Sequence, residues 1–192
     1  MHTGAELLLH VCCAPCATYV IDVLSETYSV TAFFYNPNIQ PVEELQRRLQ
    51  EVRRYTAHHD IPLIVEEDDA QTWHTEIRGF EQEPEGGRRC QRCFALRLRK
   101  AAEAAMMHGF GRFTTTLTVS PHKDASVINR IGAQAAADAG VVFLNEDFKK
   151  NDGFRKSCTL STQYGLYRQR YCGCIYSIRK RAHGKDGRAD GV

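Results

Sequence analysis

Eight cysteines stand in this chain of 192 residues, and seven of them fall into three tight groups: Cys12, Cys13 and Cys16; Cys90 and Cys93; Cys172 and Cys174. Cysteines serving only as small core residues would be scattered. Separations of one to three residues suit metal ligation or thiol redox chemistry. In a reducing cytoplasm such thiols are not expected to form structural disulfides.

The groups divide by chemistry. Cys90-Gln91-Arg92-Cys93 can present both sulfurs from a helix start, where the macrodipole favours thiolates. It reads as a zinc half-site, a cluster half-site or a redox pair, and no thioredoxin-like context surrounds it. As a half-site it needs two more ligands, and Cys12-Cys13 is the obvious donor. Adjacent side chains tend to diverge, which fits the separate corners of a 4Fe–4S cube better than one tetrahedral zinc ion. The reading preferred here is a 4Fe–4S cluster on Cys12, Cys13, Cys90 and Cys93. Cys172-Gly173-Cys174 closes a very small disulfide ring that is easily reduced, so the pair can carry two electrons; the plainer alternative is further metal ligands. Cys16, one helical turn from Cys12 and Cys13, either binds a further metal, touches the cluster's rim or is a small core residue, and Cys158 reads as packing. His10 and Trp73 read as core, and His58-His59 as solvated helix caps.

These residues need elements to position them. Residues 7–11 form a short buried strand, and Pro15 opens a helix through Val20, Ile21 and Leu24. A second strand at 30–35 is broken by Asn36-Pro37-Asn38, and Pro41 starts a helix carrying Leu45, Leu49, Val52 and Tyr55. A third strand at 62–65, an amphipathic stretch through Trp73, Ile77 and Phe80, a helix from Cys90 to about His108 and a β-branched strand at 113–119 follow. A helix at 123–139 stopped by Gly140 and a strand at 141–144 complete the series. Repeated β–α units predict an α/β fold, a parallel sheet of about five strands flanked by helices, with a helical C-terminal segment. Residues 1–181 read as one domain carrying the metal site, and 182–192 as a flexible basic tail. In such sheets the working site lies beyond the carboxyl ends of the strands. Cys12 and Cys13, Asn36 and Asn38, 120–124 and 145–147 all fall there. No Gly-rich dinucleotide or Walker loop follows the first strand.

Composition excludes little else. Hydrophobic residues at 43% and charged residues at 25% suit a globular chain. No apolar run approaches the ~20 residues of a membrane span, and no signal sequence is evident, so no membrane partner and a cytoplasmic location are expected. The net charge of +2 is uneven: residues 149–188 carry 11 Lys and Arg against two acids, giving +9 there and −7 elsewhere. Such a segment is either a solvated helix or a surface for phosphate backbones.

Taken together, Leu9-His10-Val11-Cys12-Cys13-Ala14-Pro15-Cys16, Phe34-Tyr35-Asn36-Pro37-Asn38, Arg89-Cys90-Gln91-Arg92-Cys93 and Tyr164 through Tyr171-Cys172-Gly173-Cys174 resemble the QueH family of epoxyqueuosine reductases, over residues 6–177. The resemblance implies a Rossmann-like sheet of the adenine-nucleotide α-hydrolase type. It implies cobalamin-independent reduction of the epoxide of epoxyqueuosine, at the wobble position of tRNA, to queuosine. It carries over Cys12, Cys13, Cys90 and Cys93 as cluster ligands and Cys172 with Cys174 as a redox-active pair. Relatives hold an additional iron through an acidic residue at about the point where this chain has Cys16. The reaction takes two electrons and two protons and releases water. A cluster passes one electron at a time whereas a dithiol stores two, so Cys172 and Cys174 are expected to supply or replenish them, and an electron donor must restore the pair. Tyr35, Asn36, Asn38, His122, Asp124 and Asp147 are candidate proton donors or substrate contacts. Arg168, Arg170, Arg179, Lys180 and Arg181 are candidates for the anticodon arm's phosphates. Two rivals stand beside this reading: a structural zinc protein that binds RNA without catalysis, and a thiol–disulfide oxidoreductase acting on proteins.

Overall fold

A computed structural model describes residues 4–66 and 70–178. Five strands and six α-helices alternate: β1 (Ala5–His10), α1 (Ala14–Ser25), β2 (Tyr28–Phe34), α2 (Val42–His58), β3 (Leu63–Val65), α3 (Ala70–Glu76), α4 (Arg88–Met107), β4 (Arg112–Thr115), α5 (Ala125–Ala139), β5 (Val142–Phe143) and α6 (Gly153–Gln163). All strand pairs are parallel, in the order β3-β2-β1-β4-β5. This is the α/β, Rossmann-like sheet the sequence predicts.

The apolar run of β1 explains its central place. Leu7, Leu8 and Leu9 are fully buried, as a strand covered on both faces must be. Side chains alternate across the sheet. Leu8 joins Phe33, Trp73, Leu98, Phe113 and Ile128 under α3, α4 and α5. Leu7 and Leu9 join Val20, Ile21, Val52 and Phe148 under α1, α2 and α6. Burying two such faces supplies the main driving force, at ~25 cal/mol per Å² of apolar surface.

Three local readings change. The fourth strand stops at Thr115 rather than running to Val119, because the Thr115 hydroxyl accepts from the Leu117 N–H and winds residues 116–119 into a 3-10 turn. His59 is no solvated cap: it is half-buried, with its ring 4.4 Å from that of Tyr55 and 4.9 Å from that of Tyr164, while His58 is exposed. Asp124 caps α5, and Gly140 ends it in the left-handed region at φ 69°. Among the described residues no helix is long and apolar enough to cross a membrane. The tail from 182, with Arg179, Lys180 and Arg181, lies outside the described residues.

Candidate metal and active site

The chain leaves β1 at the point where the sheet's connections diverge, β2 lying on one side and β4 on the other. Such a switch point opens a crevice at the strand ends. Cys12 sits in it. The Val11 N–H donates to the Phe33 carbonyl (2.8 Å), Asn36 Nδ2 donates to the Val11 carbonyl (3.0 Å), and the Cys12 N–H donates to Thr116 Oγ1 (3.3 Å). A bend at Cys12 and extended backbone at Cys13 then lead into α1, with Pro15 in its first turn.

That bend turns the sulfurs toward each other. Cys12 and Cys13 Sγ lie 3.8 Å apart, and the sulfurs of Cys12, Cys13 and Cys16 are all within 4.8 Å of one another. The divergence expected of neighbouring cysteines therefore does not occur. Sulfurs around one tetrahedral ion with metal–sulfur bonds of ~2.3 Å stand about 3.8 Å apart, so the triple suits a single ion as well as a corner of something larger. Hydrogen bonds from Cys13 and Cys16, aided by Arg97 and Lys123, hold the Cys12 thiol well below the usual range. The same contact with Cys12 pushes Cys13 up to about 12 and raises Cys16.

The second group comes from α4. The Gly86 N–H donates to Cys90 Sγ (3.2 Å), and Cys93 is buried one turn on, burial pushing its thiol up to about 12. The third group follows α6. Gly173 has φ +122°, its carbonyl accepts from the Gln40 N–H (2.8 Å), and a side chain there would meet Ile39 and Arg48. Arg48 Nη1 and Nη2 donate to the carbonyls of Cys172 (3.1 Å) and Tyr171 (3.2 Å), while its Nε pairs with Glu44 at 2.7 Å. All eight cysteines are free thiols.

The first and third groups share a cavity, whereas the set of sulfurs within 4.8 Å of one another comprises Cys12, Cys13 and Cys16 and does not include Cys90 or Cys93. Cys12, Cys90, Cys93 and Cys174 belong to one apolar cluster. Cys12, Cys16 and Cys172 open onto a cavity of about 650 Å³ together with Arg48, Arg97 and Lys123. Arg97 is buried and donates to Asn36 Oδ1 at 2.5 Å. Burial works against the Lys123 ammonium, yet the sulfurs of Cys172, Cys12 and Cys16 outweigh it and keep the lysine charged. Gln169 Nε2 donates to Cys13 Sγ (3.0 Å), and its buried Oε1 has no partner. A shallower depression between α3 and α4, with Gln71, Thr75, Arg92 and Arg99, contains no cysteine.

The profile of the family described as Epoxyqueuosine reductase QueH matches residues 7–180. The chain belongs to the QueH family. Its relative from Haemophilus influenzae, named epoxyqueuosine reductase QueH, is 41% identical over 176 residues, covering 91% of this chain and 72% of the relative. The proteins of the same name from Streptococcus pyogenes serotype M1 and Thermotoga maritima are 37% and 35% identical, covering 91% of this chain and 71% and 91% of their own lengths.

Within this QueH chain the remaining sequence candidates have distinct fates. His122, Arg168 and Arg170 are exposed and line the cavity. Tyr35 is buried in the core beneath it, and its carbonyl faces His10 Nε2 (3.3 Å). His10 also meets Thr115 Oγ1 (2.8 Å), and burial, with Arg97 nearby, keeps it neutral by lowering its pKa to about 3. Asn36 is occupied at both ends, by Val11 and Arg97. Asn38 is buried against Gly173, with Oδ1 unpartnered. The Asp124 carboxylate accepts from the Ser126 and Val127 N–H groups, so it is a helix cap rather than a cavity group. Asp147 accepts from the Lys149 N–H (3.2 Å). Sequence reasoning missed Arg48 and Arg97, and it gave no role to Lys123, though this lies in the 120–124 strand-end loop, or to Gln169, though this lies in the motif from Tyr164 to Cys174.

Proposed function

We propose that this chain is an epoxyqueuosine reductase acting on tRNA, reducing the epoxide at the wobble position by two electrons to give queuosine and water. One observation supports this above the rest: a cavity of about 650 Å³ at the strand ends, onto which Cys12, Cys16 and Cys172 open beside Arg97 and Lys123. The relatives' shared name supplies the substrate. An all-thiol donor set compensated by buried cations fits an iron–sulfur group. Cys12, Cys13, Cys90 and Cys93 would hold a 4Fe–4S cluster. Bound there, it supplies single electrons and a Lewis-acidic iron.

The chain's own residues do the rest. Cys172 reaches the cavity wall, and Cys174 lies buried behind it. Closing a disulfide between them releases two electrons and two protons, the amounts that convert an epoxide to an alkene and water. A cellular electron donor then reopens the bond. Lys123 and His122, which line the cavity, would donate hydrogen bonds toward the departing oxygen. Arg168 and Arg170, with Arg179 beyond the described residues, contact the anticodon arm's phosphates. Binding is therefore expected to weaken steeply with salt.

A second reading of the first group rests on its convergence. With Cys12 and Cys13 on the cluster, Cys16, whose sulfur lies within 4.8 Å of theirs, would be left to hold an additional iron beside it.

Anaerobic reconstitution followed by assay on epoxyqueuosine-containing tRNA tests both. The wild type should turn brown and form queuosine. Cys90→Ala should lose colour, acid-labile sulfide and activity, whereas Cys174→Ala should keep colour and lose activity. Iron in excess of sulfide that disappears in Cys16→Ala would identify the additional ion. A colourless zinc protein that binds tRNA without changing it would overturn the proposal in favour of structural zinc. Activity that persists without iron and in Cys90→Ala would favour a thiol–disulfide oxidoreductase.

A further inference from the structure

Among the described residues one Phe, Tyr or Trp ring is exposed, that of Phe154, with 37% of its surface open. The other large apolar side chains left exposed, Val23, Val42, Met106, Met107, Val142 and Ile178, are not aromatic, and none lines the cavity of the cysteines. Phe154 does line it. A single exposed phenylalanine is ordinary on a protein surface. Its neighbours give it meaning. The Arg168 guanidinium lies 5.7 Å from the ring centroid and is fixed by a hydrogen bond from Nη1 to Ser161 Oγ (2.9 Å) on the same helix. Arg170 and Lys123 add positive charge to the cavity wall, which also carries His122 and the carboxylate of Glu85.

The ring is also held firmly in place relative to the thiols. Phe154 is the second residue of α6. Gly153 before it packs so closely on the Phe148 carbonyl and the Tyr19 ring that no side chain would fit. One turn on, Ser157 Oγ donates to the Pro15 carbonyl, tying α6 to the helix that begins beside Cys13. A flat apolar ring next to an anchored guanidinium, at the rim of a basic cavity, suits a flat group attached to phosphates. Unpaired RNA bases are recognised this way, by stacking on aromatic rings and arginine planes, while duplex RNA hides its base faces.

We propose that Phe154, with Arg168, is a stacking platform for an unpaired base of the anticodon loop, holding the loop over the cavity while the wobble nucleotide enters it. The proposal rests on the tRNA reading above and adds the residue that selects loop over stem.

The test uses the full chain, purified and reconstituted anaerobically, with a fluorescein-labelled anticodon stem-loop RNA carrying epoxyqueuosine and a matched duplex without a loop. Wild type should bind the stem-loop more tightly than the duplex. Phe154→Ala should weaken stem-loop binding by roughly 5- to 150-fold, the range of one base–aromatic stack. Duplex binding and the salt slope should hardly move, and KM should rise with kcat little changed. Phe154→Tyr should restore the preference. Arg168→Gln should instead reduce the salt slope by about 1. If wild type converts the stem-loop and Phe154→Ala binds and converts it equally well, the platform is refuted while the reductase reading stands. If wild type shows no preference for the loop and no conversion, both fall.

Discussion

Cys12 and Cys13 follow directly on the central strand, whereas Cys172 and Cys174 lie in a loop segment held to α2 mainly by side chains. Around the first pair the backbone groups of Val11 and Cys12 are bonded to Phe33, Asn36 and Thr116, and α1 begins at once. Around the second pair α2 does the work that a neighbouring strand would do. Arg54 donates to the Tyr164 and Gly165 carbonyls, and Arg48 to those of Tyr171 and Cys172. Glu51 accepts from the Tyr167 N–H and Glu44 from the Tyr167 hydroxyl, over whose ring Arg47 lies at 3.5 Å. The second segment, which has no strand ladder, is expected to open before the sheet does.

The comparison can be broken or sharpened by experiment, the largest effect first. Cys12→Ser should abolish metal retention and lower kcat/KM by more than about 100-fold, since even outer partners of metal ligands cost ~10- to 100-fold; metal analysis and the tRNA assay would show it. Arg48→Leu leaves the Glu44 carboxylate and two carbonyls without their buried cation. It should cost about 3–5 kcal/mol in urea denaturation, with hydrogen exchange rising first at residues 164–178. Gly173→Ala places a side chain at φ +122° within 2.9 Å of Ile39. A loss of about 1–3 kcal/mol is expected, confined to exchange in 164–178 and sparing β1. Arg54→Ala, whose side chain is half-exposed, should change stability by about 0.5 kcal/mol or less. Simultaneous loss of exchange protection in β1 and 164–178 after Gly173→Ala would show that the two regions open as one unit and end the distinction.

The sheet was legible because its signals are local. The run Leu7-Leu8-Leu9 marks a strand buried on both faces, and prolines and glycines punctuate the β–α units. The cysteine groups were legible through their spacing. The early end of β4 was not, since Thr116-Leu117-Thr118-Val119 is as β-branched as any strand and only the bond from the Leu117 N–H to Thr115 turns it. Strand order depends on crossovers that no local pattern records. Nor does a local pattern reveal Arg48, whose carbonyl partner Cys172 lies 124 positions away, or the bond from Arg97 to Asn36 across 61 positions. The convergence of Cys12 and Cys13 depends on one bend, which adjacency in sequence does not reveal.

β1 precedes the other four strands in sequence yet stands in the middle of the finished sheet. The thiols that follow it gain Thr116 only 104 residues after Cys12, and Gln169 closes over Cys13 only 156 residues after that cysteine. At ribosomal speeds of ~5–20 residues per second that delay is roughly 8–30 s. During each round of translation, Cys12, Cys13 and Cys16 therefore stand uncovered for that interval, when oxidants have their freest access to them.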